Sequence, residues 1–447
     1  MAQSIAALTQ SLLTAARAAG ADSADALAVE GTSLSIQLRA GSLEQAERAE
    51  GIEIGLRVLI GGRQACVSAS DTSPATVARL AERAVAMARE APQDPYAGLA
   101  DPESIARNWD LASLELSDPA PEPTAAQLES DARDAESAAL AAPGITQVES
   151  AAAYSRQSMH LSATNGFSGG YARSSRSISA VAFTGSGTAM ERDWAGEGRI
   201  WQADLPAPAS IGALAAARAL SRAGATKPKT GTYPVLFDER IASSLIGHLL
   251  GAINGAAIAR GASWALDLLG QPVLPAQLSI TEDPLRQRIS GSRPFDGEGL
   301  PTARRLIVDG GILTGWTLDL ATGRKLGMAS TANASRGTSA PPSPATSNID
   351  LTQGAASQTD LLRDMGTGLL VTSMIGSTIN PTTGDYSRGA SGFWVDGGQI
   401  LYPVNECTIA GNLRDMLQRI IPANDARAHL STRVPSLLID GMTLAGA

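Results

Sequence analysis

From residue 26 to residue 68 apolar and polar residues tend to alternate, and long helical periods lie outside this stretch rather than between its strands. Ala26-Leu27-Ala28-Val29-Glu30 and Leu34-Ser35-Ile36-Gln37-Leu38 read as two paired strands, with Gly31, Thr32 and Ser33 between them as a turn. Ile52 to Val58 alternates well, and Gly61-Gly62 turns the chain into Gln64 to Ser68. This is an antiparallel meander. Ile5, Leu8, Leu12 and Ala16 before it, and Val77, Leu80, Ala84 and Met87 after it, fall at helical spacing. Strands and helices are therefore segregated, which favours an α+β fold over α/β.

Prolines at 92, 95, 102, 119, 121 and 123 mark a loop-rich stretch that ends in a linker, Pro119 to Pro123. Helices are predicted over 125–142, 213–223 and 241–259, and exposed antiparallel strands over 145–201. From Tyr233 onward the text is β-rich, with strand signals at Leu306, Ile312, Leu369, Phe393 and Ile400. Residues 328–347, rich in Ser, Thr, Ala and Pro, read as a mobile loop. These boundaries divide the chain into regions 1–118, 119–228 and 229–447.

Only 4% of the 447 residues are aromatic while 44% are hydrophobic, so Ala, Leu, Ile and Val must fill the cores by close packing. A net charge of -9 with no basic stripe argues against nucleic-acid binding. No apolar run reaches the roughly 18 residues of a membrane span. The N-terminal segment, broken by Thr9, Gln10, Ser11 and Thr14, is unlike a secretion signal. A cytoplasmic location is expected. Cys66 and Cys407 stand alone and read as small buried hydrophobes.

Chemistry-bearing residues are scarce. The three histidines, His160, His248 and His429, are far apart, and no zinc motif of the His-Glu-x-x-His or Cys-x-x-Cys type occurs. Gly166-Phe-Ser-Gly-Gly170 has the letters of a nucleophile elbow but sits in a turn-rich tract, and it reads as a hairpin. Gly310-Gly311 and Gly397-Gly398 likewise read as hairpin turns. The glycines at 247, 251 and 255 weaken a helix. They either let another element pack closely or leave room beside a site. The tract Gly384-Asp-Tyr-Ser-Arg-Gly389 either holds a peptide or partner, with Arg388 gripping a carboxylate, or is a hairpin in which Asp385 and Arg388 pair.

Several blocks taken in order resemble the TldD/PmbA family, also called modulators of DNA gyrase, and its PmbA (TldE) branch above all. They are Met190-Glu-Arg-Asp193, Gly247-His-Leu-Leu-Gly251, Pro294-Phe-Asp296 with Glu298-Gly299, and Arg324-Lys-Leu-Gly327. Further along come Met365-Gly-Thr-Gly368, the 384–389 tract, Gly392-Phe-Trp-Val395, Tyr402-Pro-Val404 and Ile409-Ala-Gly-Asn412. The resemblance implies an N-terminal antiparallel sheet with packed helices, a β-rich, barrel-like C-terminal domain, and a dimer.

In that family one branch carries zinc on a His-Glu-x-x-x-His helix with a later Cys and cleaves extended peptides. The other branch is its partner. Laid on the zinc helix, Gly247 replaces the first His, His248 the Glu and Ala252 the second His, and residues 426–438 hold no Cys. The resemblance thus implies a metal-free, non-catalytic subunit with no cofactor of its own. Its partners would be a TldD-like zinc-bearing subunit and a peptide, with a homodimer open to the isolated chain. Gly384, Asp385, Tyr386, Ser387, Arg388 and Asn412 are the candidates for peptide binding or subunit contact. An independent peptidase, and a regulatory protein acting on gyrase or a toxin–antitoxin system, remain as alternatives.

Overall fold

The computed structural model describes residues 3–446, apart from the side chains of residues 377 and 378. Helix α1 (Ile5–Ala19) is capped by the Ser4 hydroxyl and ends at Gly20, whose φ of 96° is the left-handed C-terminal cap. Strands β1 (Ser23–Arg39), β2 (Ser42–Ile60) and β3 (Arg63–Ala69) follow, then α2 (Pro74–Glu90). After the loop-rich connector come α3 (Ala125–Leu140), β4 (Ile145–Ala163), β5 (Ser168–Thr184), β6 (Glu191–Arg199) and α4 (Pro208–Ser221). All six strands form one antiparallel sheet, ordered β3-β2-β1-β4-β5-β6. The turn expected at 31–33 does not exist, because β1 runs straight through it. Gly31 serves close approach instead, since a Cβ there would lie 3.1 Å from the Arg156 carbonyl on β4. Gly61 and Gly62, both at positive φ, do make the expected turn.

One sheet face buries Ala24, Ala26 and Ala28 under α1 and α2, and Leu34, Ile36 and Leu38 under α3 and α4. Small residues let these helices sit close, as the low aromatic content requires. Met87, expected on the buried face of α2, is exposed. The other sheet face meets the C-terminal region through Leu27, Leu161, Phe167 and Phe295, with the last two rings 5.0 Å apart.

The C-terminal region opens with β7 (Gly231–Phe237), α5 (Glu239–Ala252) and α6 (Gly255–Ala259). Short strands β8 (Ile280–Glu282), β9 (Arg305–Asp309) and β10 (Ile312–Leu313) precede α7 (Leu320–Leu326). An arm carrying β11 (Ala334–Ser335) and β12 (Ser343–Pro344) leads to β13 (Ile349–Leu351) and α8 (Gln358–Met365). Then come β14 (Gly368–Ile379), β15 (Asp385–Asp396), β16 (Gln399–Asn412), α9 (Leu413–Leu417), β17 (Ile421–Pro422), β18 (Thr432–Arg433) and β19 (Leu437–Ala445).

Strands β7, β14, β15, β16 and β19 close into a five-stranded barrel, because β16 pairs β19 as well as β15. Side chains from all five strands share one apolar cluster with Leu245, Ile246 and Leu249 of α5. Among the described residues, no helix is long and apolar enough to cross a membrane.

The arm at 328–347, expected to be mobile, is anchored at several points: Asn333, Ala334 and Thr338 are buried, as is the side chain of Arg336, while 339–341 and Ser343 are exposed. Its polar residues find partners on distant elements. Asn333 donates to Glu282 at 2.8 Å, and Arg336 pairs with Asp25 of β1.

Candidate functional site

Helix α5 starts where Asp238 accepts the Arg240 N–H at 3.1 Å. It stops at Ile253, so the single helix expected over 241–259 is two. The break comes at Asn254, whose side chain caps α6 through Ala256 N–H and donates to the Pro344 carbonyl at 2.8 Å. Leu245, Leu249 and Ala252 are buried, whereas Gly247 and Gly251 are exposed. A Cβ on either glycine would meet nothing within 4 Å. Nothing packs tightly there, and the helix leaves room beside it. At about 100° per residue, His248 falls on the border between the buried and the open face.

Strand β15 brings the second motif to the same place. Tyr386 and Arg388 are two residues apart and face inward. The His248 and Tyr386 rings lie 5.9 Å apart at 67°, edge to face. Tyr386 is 1% exposed and its hydroxyl donates to Met374 Sδ on β14 at 3.2 Å. His248 Nε2 and Arg388 Nε are buried without a hydrogen-bond partner. Among the described residues Arg388 has no acidic partner within ion-pair distance. Burial, with the Arg388 charge beside it, holds His248 below the usual histidine range and therefore neutral near pH 7. Burial pushes the Tyr386 phenol up to about 12.

The Asp385–Arg388 pair, one of the two readings of this tract, does not form, because residues three apart on a strand face opposite sides. Asp385 is exposed and accepts from Thr383 Oγ1 at 2.6 Å and Asn412 Nδ2 at 3.0 Å. Those bonds hold its carboxyl below the usual range. Asn412 also caps α9 through the Arg414 N–H. Gly384, with φ of 80°, turns the chain beside Trp264. Ser387 sits opposite Ala410 on β16. The six candidates thus separate into a hairpin network of Gly384, Asp385 and Asn412, an inward pair of Tyr386 and Arg388, and Ser387 on the outward side. His248, from the glycine-bearing helix, joins the inward pair. Met374 gave no signal in the sequence.

Two other clusters deserve comparison. Ser168 lies at the β4–β5 hairpin, where Gly166 has φ of 99°. Its hydroxyl is 3.4 Å from Ser162, which with Thr9 contacts His160 Nδ1. No carboxylate among the described residues bonds that ring, so a triad is not assembled. At the junction between the sheet and the arm, Arg57 Nε donates to Asp25 Oδ2 at 2.9 Å and Arg336 pairs with the other oxygen. Nearby Asp296 accepts the N–H groups of Glu298, Leu300 and Ala334.

The PmbA/TldA metallopeptidase C-terminal domain matches residues 230–446, its domain 1 residues 24–88 and its central domain residues 118–223. The chain belongs to the PmbA/TldD family. It is 36% identical to Metalloprotease PmbA of Escherichia coli O157:H7, over 95% of this chain and 92% of that one. It is also 36% identical to the PmbA homolog of Haemophilus influenzae, with the same coverage. A Bacteroides thetaiotaomicron structure named for modulation of DNA gyrase superposes with a TM-score of 0.92 at 26% identity, covering 99% of this chain and 98% of that one. TldE from Thermococcus kodakarensis shares the fold, with a TM-score of 0.85 at 17% identity, covering 98% and 100%.

The PmbA/TldD family name implies a metal, and zinc needs three or four converging N, S or O ligands. On α5, Gly247 and Ala252 carry no donor atom. His248 is one nitrogen ligand, but its neighbours are a phenol directed at Met374 and a cationic guanidinium. Among the described residues no three His, Cys, Asp or Glu side chains gather as a metal-ligating group. The side chains here do not fit zinc. The other PmbA/TldD blocks mostly build the frame: Asp296 and Glu298 hold the 294–300 loop, and Arg324 donates to the carbonyls of Tyr96 and Leu99.

Proposed function

We propose that this chain is the metal-free, non-catalytic subunit of a cytoplasmic zinc peptidase of the TldD/TldE type, which degrades or matures extended peptides. The zinc would belong to a TldD-like partner. The observation that carries this reading is Arg388 beside His248, on a helix whose positions 247 and 252 are Gly and Ala. Hydrolysis by a zinc-bound water needs ligands to hold the metal and a base to accept a proton. A fixed cation at this place opposes a second cation, and a neutral His248 is only one donor. Family membership and the similarity to Metalloprotease PmbA support the peptidase context.

Elemental analysis of dialysed protein, with casein digestion by this chain alone and by its mixture with a TldD-like subunit, tests the reading. The expected result is under about 0.1 zinc per chain, against the tight binding of a closed four-ligand site. Digestion should occur in the mixture only. Chelator-resistant digestion by the isolated chain would instead make it an enzyme in its own right.

A further inference from the structure

We propose that the cleft between β5–β6 and the barrel strand β14 is a docking groove for an extended peptide carrying a large apolar and an acidic side chain two residues apart. That the occupant is a peptide rests on the peptidase reading above; the groove and its side-chain pattern rest on geometry. Its volume of about 650 Å³ lies within the usual range of ligand sites, about 300–1,000 Å³. Strand register builds the floor. Glu149 on β4, Val181 on β5 and Trp194 on β6 stand side by side, and Phe183 lies opposite Arg192 two residues along. Strand side chains alternate, so these five share one face, while Val148, Ala182 and Ala195 point the other way under α3 and α4. Ser373 of β14 lines the far wall. Arg222, just past α4, ties the two walls together. It pairs with Glu191 at 3.5 Å and donates to the Ser391 hydroxyl, opposite Ser373, at 3.0 Å.

The floor is apolar where a free surface is ordinarily polar. Of the six tryptophans Trp194 alone is exposed, at 55%, and Met190 in the same cleft is exposed to the same degree. A docked apolar side chain would remove that surface from water. The charges are uneven as well. Glu149 pairs with Arg39 at 3.3 Å, Glu191 with Arg222, and Asp193 with Arg240 at 3.4 Å. Arg192 is exposed and has no acidic partner among the described residues. A carboxylate is therefore the charge that the groove lacks. Trp194 and Arg192 are two residues apart on one strand, roughly 6–7 Å along it, and alternate side chains of an extended peptide have the same spacing. A leucine over the indole thus brings a glutamate two residues away to the guanidinium. Recognition runs through side chains, because the main-chain N–H and carbonyl of Trp194 are already taken by its neighbour Asp193 at 2.7 Å and by Arg218 at 3.0 Å.

Calorimetric titration of the full chain with three N-acetylated, C-amidated pentapeptides tests this. They are Ser-Leu-Ser-Glu-Ser, Ser-Leu-Ser-Lys-Ser and Ser-Ala-Ser-Glu-Ser. The first should bind at least about tenfold more tightly than either of the others. Arg192→Glu should reverse the preference between the first two, and Trp194→Ala should remove the preference for Leu over Ala. Both side chains are exposed, so both variants should melt with the parent. The first peptide should also shift the tryptophan emission of the parent and leave that of Trp194→Phe unchanged.

Equal binding of the three peptides, no binding at millimolar peptide, or a preference that survives Arg192→Glu would overturn the proposal. If Trp194→Ala turns a dimer into a monomer in sedimentation, the groove is a contact between copies of the chain and the proposal also falls. Zinc content and digestion by the mixed subunits are separate measurements. Lost peptide preference with mixed-subunit digestion intact would sink the groove alone. Selective binding without digestion would sink the subunit reading alone.

Discussion

Arg336 and Arg388 both point inward from polar tracts, yet their surroundings differ. At the junction, Arg336 and Arg57 share the two oxygens of Asp25, and all three side chains are under 5% exposed. Burial alone would raise the Asp25 pKa, but the two guanidinium groups hold it low. Beneath α5, Arg388 has no such acid among the described residues, and His248 beside it lacks a partner at the buried Nε2. A charge satisfied within the chain holds the chain together. A half-buried charge with no acid beside it contributes little to holding the chain together.

Neutralising the shared anion should give the largest effect. Asp25→Asn leaves two buried guanidinium groups facing each other and should cost about 3–5 kcal/mol of unfolding free energy. Arg388→Gln leaves no acid behind and should change stability by less than about 1 kcal/mol. Urea unfolding of the two variants measures both, and losses of equal size would erase the distinction between the two arginines.

The junction should also carry a pH signature. Burial, with Asp296 beside it, pushes the Glu298 carboxyl up to about 8 from an ordinary 4.5. The folded chain therefore holds a proton that the unfolded chain releases. This contribution to stability is complete below the ordinary value and is lost as pH rises through about 8. Between those limits Glu298 should lower stability with rising pH by on the order of a few kcal/mol. Glu298→Gln, which can still accept the Leu320 N–H, should flatten that slope when melting is followed from pH 5 to 9. Identical pH profiles for the parent and variant would mean that the Glu298 carboxyl is solvated after all.

Local devices were the legible part of this fold. Paired glycines at 61–62, 310–311 and 397–398 mark tight turns because both residues take positive φ there. The helices of the N-terminal half were legible from helical spacing, and the caps at Ser4, Ser73 and Thr124 that start them add a local signal the spacing did not need. Distant partners were not legible. Gly31 looked like a turn because nothing in the sequence says that β4 approaches it. The arm looked mobile because its polar residues bond to Asp25 and Glu282, far away along the chain. The candidate site was half legible: both motifs stood out, but only barrel closure sets Arg388 beside His248. The strand period of two did decide against an Asp385–Arg388 pair, a consequence that follows from the sequence once β15 is known to run unbroken from Asp385.

The smallest expected effects reverse sign between the two regions. Gly55 of β2 is buried against the arm, and a Cβ there would stand 2.1 Å from the Thr338 carbonyl oxygen. Backbone cannot swing aside like the end of a side chain, so Gly55→Ala should cost about 1–3 kcal/mol through displacement of the arm. Gly247 has the same missing methyl in the middle of α5, with nothing within 4 Å of it. There the added methyl restricts the unfolded chain and favours the helix, so Gly247→Ala should stabilise by about 0.5–1 kcal/mol. A helix that would gain from Ala yet carries Gly has kept an open flank at the expense of stability. Thermal melting of Gly247→Ala decides this. A clear loss would mean that something packs on that face.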